Sequence, residues 1–170
     1  MSEDETPERG TRTAASPTII RSWLQENEYA DTSGDEDVFD LLFESDEGEL
    51  SVRMIASDES GWVLLVAHGD FGVPPEHAPA LLDACNRINY QQLVGAVSFD
   101  AATPDVQCRF FLPHTPGALD RDVFCGVVEA WLGNAMRCLA ALRQVAEGKL
   151  TAEVATAWLE EVDDESSDAE

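Results

Sequence analysis

Three histidines and four cysteines are the residues of this chain best suited to chemistry. His68 stands in His68-Gly69-Asp70 with His77 close behind, a loop-like spacing that could offer metal ligands. A zinc site needs three or four ligands, each oriented by a second layer of hydrogen bonds. No further histidine or cysteine falls at a diagnostic distance, so neither a metal nor a cofactor is expected. Cys85, Cys108, Cys125 and Cys138 form no C-x-x-C pair, and each sits in an apolar run. That is the setting of buried, reduced thiols. His114 lies between Pro113 and Pro116 and reads as a surface loop residue.

The chain contains no G-x-S-x-G elbow, no G-x-x-x-x-G-K-[ST] loop and no G-x-G-x-x-G fingerprint. Its single lysine, Lys149, falls at a helix end, which disfavours a phosphate cradle. With 34 Asp and Glu residues, neighbouring carboxylates are expected by chance and say little about acid-base catalysis.

A surplus of apolar residues on the strands says more. Ile55, Val63, Leu65 and Phe111 are expected on the sheet face opposite the main core, beside Arg53 and Arg109. Either a terminal helix covers that face, or the six residues form a surface that binds a partner chain. Two arginines among apolar groups suit an acidic or amphipathic segment.

The elements that position these residues follow from periodicity. Residues 1–15 and 163–170 are polar tails, expected to be disordered. Ser16 and Pro17 are placed as N-cap and first residue of a short amphipathic helix that carries Ile20, Trp23 and Leu24. Three apolar runs then follow, separated by Ser45-Asp46-Glu47-Gly48 and Asp58-Glu59-Ser60-Gly61, which predicts a three-stranded meander. In the second run Leu50, Val52, Met54 and Ala56 alternate with polar residues. The third, Trp62 to His68, is apolar on both faces and is expected at the centre, covered on both sides.

A second helix carries Leu81, Cys85 and Ile88, and Asn89 is expected to close it in a left-handed conformation. Leu93, Val97 and Phe99 predict a fourth strand, with Gly95 leaving room for a bulky neighbour. Val106, Cys108 and Phe110 predict a fifth. Asp120 caps a long helix to about Glu147 that is apolar nearly all round, which no half-solvated helix can be. Gly126, Ala130 and Gly133 line a small-residue seam on it. A last amphipathic helix, over 149–162, shows Val154, Trp158 and Val162 on one stripe; it either folds back as a cover or reaches a second subunit. The fold class is α+β: about five antiparallel strands in α-βββ-α-ββ-α order, packed on a long C-terminal helix, in one domain over 16–148.

This order resembles the YbjN family of bacterial sensory-transduction regulators. The likeness is strongest over LLDACNRINYQQLVGAVSFDAATPDVQCRFFLP, residues 81–113. The resemblance implies a fold like that of the type III secretion chaperones, which often dimerise and hold segments of other proteins. Asn86, Asn89, Gly95 and Asp100 match recurring positions and read as fold markers.

A net charge of −24 repels phosphate backbones and anionic lipid, so neither nucleic acid nor membrane is an expected partner. Adaptation to a saline cytosol explains that acidity, as do GC-rich codon usage and two acidic tails. The opening MSEDETPERG lacks the apolar core of a secretory signal, and no run reaches the roughly 18 apolar residues of a membrane span. A soluble, cytoplasmic protein is expected. The expected function is a non-enzymatic, chaperone-like protein-binding module, as a homodimer, that takes a partner's segment at a sheet edge or in a groove. Two other readings stand beside it. One is a small enzyme or sensor using His68 or Cys108 in a pocket between the sheet and the long helix; the other is an acidic regulator that mimics nucleic acid.

Overall fold

The computed structural model describes residues 13–45, 48–92, 94–157 and 159. Residues 1–12 and 163–170 of the tails, Leu93, Trp158 and Val162 lie outside the described residues; the end of the N-terminal tail, expected to be disordered, is ordered at Thr13 and Ala14, which pair with a later strand. The elements run β1 (Thr13–Ala14), α1 (Ser16–Glu26), β2 (Val38–Ser45), β3 (Gly48–Ser57), β4 (Trp62–Gly69), α2 (Ala78–Gln91), β5 (Ala96–Asp100), β6 (Asp105–Pro113), β7 (Leu119–Asp120) and α3 (Arg121–Ala146). β1 pairs with β7 in a small ribbon, and the other five strands form one antiparallel sheet in the order β2-β3-β4-β6-β5. The expected α+β fold, with its five antiparallel strands and long C-terminal helix, is the one observed.

The helices sit together on one side of this sheet. Phe39, Met54, Leu65 and Cys108 from the strands share one buried cluster with Ile20 and Trp23 of α1, Leu81 and Ile88 of α2, and Phe124, Val128 and Trp131 of α3. The rings of Trp23 and Phe124 meet edge to face at 6.1 Å, which locks α1 to α3. β4 is central, as its apolar run predicts, but it is covered on one side only.

The α3 stretch is long and apolar enough by length and composition to cross a membrane. Here it is the core helix, with Phe124, Val128, Trp131 and Leu142 fully buried. Asp120 caps it, accepting from the Val123 N–H at 3.1 Å. The chain after Gly148 turns back onto the helix layer: Ala152 and Ala155 join the core cluster, and Glu153 reaches Arg87 of α2 at 3.5 Å. The helical residues 152–157 therefore cover helices, and the outer sheet face gains nothing from them.

Two expected caps take a different form. Ser16 lies inside α1, and Ala15 occupies the N-cap. The capping oxygen comes from the β3–β4 turn, where Asp58 Oδ1 accepts from the Ser16 N–H at 2.9 Å. Asn89 stays helical; among the described residues the sole non-glycine with positive φ is Glu28.

Candidate functional site

Each strand of the sheet shows alternate residues to the helices and to solvent, so the pairing register sorts every side chain. Ile55 pairs with Leu64, which pairs with Phe111; Arg53 pairs with Val66, which pairs with Arg109. Arg53, Ile55, Arg109 and Phe111 thus share the outer face, as expected. Val63 and Leu65 do not: they oppose Ala56 and Met54 on the inner face and are 0% exposed, so they are core residues. The outer positions on β4 belong to Trp62, Leu64, Val66 and His68. An unbroken apolar run carries no parity of its own. The signal that fixes it is the turn, which pairs Ser57 with Trp62 and so passes the inner face from Ala56 to Val63.

Read across the strands, the outer face is banded. One row is apolar throughout: Val38, Ile55, Leu64 and Phe111, with Trp62 beside it. Phe111 is 55% exposed, and its ring meets that of Trp62 at 5.9 Å. The next row holds Asp40, Arg53, Val66, Arg109 and Ala96. Arg53 donates from Nε and Nη2 to the two oxygens of Asp40, at 2.7 and 2.9 Å. This fork holds the Arg53 guanidinium above its ordinary pKa. Arg109 donates from Nε to the neutral Gln107 amide oxygen. A third row is mainly polar, with Leu42, Ser51, His68, Gln107 and Ser98. Beyond it, carboxylates close the far end: Glu49, Asp70, Asp105 and Asp100.

Both lateral edges of the sheet are occupied in part, β5 at Val97 and β2 along its first half. At β5, the Asn89 amide of α2 pairs with the strand backbone like a one-residue strand: Nδ2 donates to the Val97 carbonyl at 2.8 Å, and Oδ1 accepts from the Val97 N–H at 2.7 Å. At β2, the loop before the strand folds along it. Asp31 Oδ1 accepts from the Asp40 N–H at 3.0 Å, the Thr32 N–H donates to the Asp40 carbonyl at 3.0 Å, and the Ser33 hydroxyl donates to the Val38 carbonyl. Blocking an edge in this way prevents another strand from joining. Neither device is visible from the sequence, since both join residues by tertiary contact.

The other fold markers have local work. Gly95 adopts φ +84°, and a Cβ there would sit 3.1 Å from the Arg109 carbonyl and 3.2 Å from the Trp131 ring, which is the bulky neighbour that the sequence predicts. Asp100 closes the β5–β6 turn, accepting from the Ala102 N–H and the Thr103 hydroxyl, each at 2.9 Å. The first of these bonds does most to depress its pKa. Asn86 is exposed on α2.

The reactive-group expectation fails for Cys108. It is buried in the core, and burial pushes its thiol up to about 12; Cys85 rises likewise to about 11. His68 ends the outer face, its Nδ1 lying 3.3 Å from Asp105 Oδ1. A cleft between the sheet and α3 does exist beside it, lined by His68, Asp70, Phe71, Met136 and Arg143, but its volume is about 30 Å³. That is room for a water or two, against the several hundred Å³ of a metabolite pocket. His77 packs its ring under Gly148, and His114 Nδ1 lies 2.9 Å from the Thr115 carbonyl oxygen, so the three histidines do not converge.

The profile of the YbjN family, described as "Putative bacterial sensory transduction regulator", matches residues 16–144. Among solved structures, the chain is similar to the crystal structure of YbjN from E. coli, described as "a putative transcription regulator". The two share 16% identity with a TM-score of 0.58, over 77% of this chain and 92% of that one, a likeness of fold alone. No curated protein matches. The matched span runs from the first residue of α1 to the last turn of α3 and holds the whole five-stranded sheet, and on that ground the chain belongs to the YbjN family.

Proposed function

We propose that this protein is a non-enzymatic regulatory module of the cytoplasm that holds a segment of a partner protein against the outer face of its sheet. The observation that carries this reading is the row Val38, Ile55, Leu64 and Phe111, half-buried at its first three positions and exposed at Phe111, which lies opposite a fully packed inner face. Contiguous apolar groups left in water mark interaction surfaces. The capped edges at Val97 and Asp40 favour docking on the face over strand addition at the sheet's sides. The cleft between the sheet and α3, at about 30 Å³, gives the enzyme and sensor reading little support, and the wider hollow of about 290 Å³ at His68 is an open one on the outer face, beside Leu42 and Ser51.

The test is affinity capture from the native host at native salt, with wild type beside the Arg53→Glu, Phe111→Ser double variant. Weaker recovery of the partner at an unchanged melting temperature is the expected result. Equal recovery would remove this face from consideration.

We also propose a homodimer formed through the solvent side of α3. Gly126, Ala130 and Gly133 are exposed there, and a Cβ at either glycine would meet nothing within 4 Å. Light scattering at physiological and molar salt tests it, and a strict monomer in both sinks it.

A further inference from the structure

We propose that the occupant of the outer face is an amphipathic α-helix of a partner protein, lying across the strands with carboxylates along one edge. This rests on the docking function just proposed and goes further by naming the chemistry of the docked segment. Two observations carry it: the direction of the apolar row and the position of the arginines.

The apolar row crosses β2, β3, β4 and β6 at right angles to the strands. An added strand would need a long free sheet edge, and the edges are interrupted at Val97 and at Val38 and Asp40. A rod laid along the row needs to span four strands, about 14 Å at the usual strand spacing. A helix covers that distance in about ten residues and presents an apolar stripe at i, i+3, i+4 and i+7.

Arg53 and Arg109 border the row on one side, and β4 separates their strands. Their backbones are therefore about 10 Å apart, close to the rise of about 10.5 Å between residues i and i+7 of a helix. Two carboxylates at that spacing reach both guanidiniums. Arg109 is the stronger contact, because its neighbour Gln107 is neutral whereas Arg53 already shares its charge with Asp40. The carboxylate end at Glu49, Asp105 and Asp100 lies two rows beyond the arginines and repels a reversed or displaced acidic segment.

A second copy fits the same face badly in two of its in-plane arrangements. A two-fold axis along β4 sets Arg53 against Arg109 of the copy and stacks carboxylate end on carboxylate end. A two-fold along the arginine row sets Ile55, Leu64 and Phe111 against Ser51, His68 and Gln107. These two arrangements oppose like charges or leave apolar groups on polar ones. A two-fold along the apolar row sets Ile55, Leu64 and Phe111 on their own copies but leaves both arginines without a carboxylate, and sedimentation of Phe111→Asp decides the matter.

The probe is a synthetic helical peptide of about 15 residues, with leucines on one stripe and two glutamates seven residues apart on its flank. A lysine version and a proline-broken version serve as controls. Labelled-peptide anisotropy with the full chain is read at about 0.15 M salt, where long-range repulsion is screened beyond about 8 Å. The glutamate peptide is expected to bind most tightly. Phe111→Asp should weaken it about thirtyfold. Arg109→Glu should weaken it about tenfold and turn the preference toward the lysine peptide. Both substitutions are on exposed side chains, and an unchanged melting temperature shows that the fold persists.

The inference is overturned if the glutamate peptide does not bind, if it binds Phe111→Asp as well as wild type, or if the proline-broken peptide binds equally. It also fails if sedimentation finds self-association that Phe111→Asp abolishes, since the occupant is then a second copy. Where capture of the natural partner depends on Phe111 and the glutamate peptide still fails, the docking function stands and this inference alone falls.

Discussion

The two faces of the five-stranded sheet come from the same strands, one residue out of step, and they are organised by different rules. On the inner face Phe39, Met54, Leu65, Cys108 and Val97 are apolar at every position and vanish under three helices. On the outer face the composition changes from row to row, from Leu64 and Phe111 through Arg53 and Arg109 to Asp105 and Asp100. Uniform apolarity is what burial under helices requires, because a polar side chain there would lose its water without gaining a partner. Banding serves no internal packing, and it gives the outer face a direction. A surface with a direction can tell one orientation of a bound segment from the other.

The largest expected effect separates the faces by stability. Trp131→Ala or Phe39→Ala empties a fully buried site and should cost about 3–5 kcal/mol. Phe111→Ser removes an aromatic ring of similar character from the outer face and should cost no more than about 0.5 kcal/mol. Urea unfolding of the three variants measures both. A large loss at Phe111 would mean that the outer row is structural and would break the comparison.

The next effect concerns the sheet edge. Asn89→Ala removes both bonds to Val97, leaving the strand's N–H and carbonyl open, with an expected cost of about 1–3 kcal/mol. The open edge should also promote association, seen as rising light scattering on mild heating. Asn89→Asp keeps the acceptor for the Val97 N–H but sets a carboxylate against the Val97 carbonyl, and should be no better. A neutral Asn89→Ala would show that β5 needs no cap.

A smaller effect ties the β3–β4 turn to the first helix. Asp58 caps α1, and that bond from the Ser16 N–H is the main cause of its depressed pKa. A carboxylate whose pKa falls on folding adds stability above its unfolded value, near 3.8, and loses it as pH falls through the folded one. Below about pH 4 wild type should therefore weaken. Asp58→Ala should cost about 1 kcal/mol at neutral pH and show a shallower acid limb. Asp31 and Asp100 are depressed as well, so part of the limb should remain. An unchanged acid limb would remove Asp58 from that account.

Much of this architecture was legible in the residues. The alternation of Leu50, Val52, Met54 and Ala56 named the inner face of β3, and Asp120 announced the start of α3. Legibility failed where the determinant was distant. Val63 and Leu65 exchanged faces with Leu64 and Val66 because a continuous apolar run has no period and the turn sets its parity. Asn89 carried the signature of a helix terminator, yet its amide is used eight residues away in β5. Ser16 read as a cap, but the oxygen that accepts at the helix end is that of Asp58, distant in sequence. The candidate site was half legible for the same reason. Arg53, Ile55, Arg109 and Phe111 follow from alternation, while the row that joins them exists only once the strands are in register.

The smallest effect tests whether charge also divides the outer face. Glu49 and Asp70 line the same shallow hollow beside His68, at the end of the sheet where carboxylates gather. Wild type, at a net charge of −24, should melt at a higher temperature as salt is added, because a Debye length near 3 Å at 1 M quenches the repulsion among these groups. Glu49→Gln should raise stability at low salt by only a few tenths of a kcal/mol, since exposed charges interact weakly in water. That gain should vanish at about 1 M, whereas a packing effect would survive. The same substitution should leave peptide binding at the apolar row unchanged, because two rows of polar and charged residues lie between. Thermal melts at low and high salt, read beside the anisotropy titration, decide whether the carboxylate end acts on its own or merges with the surface around Phe111.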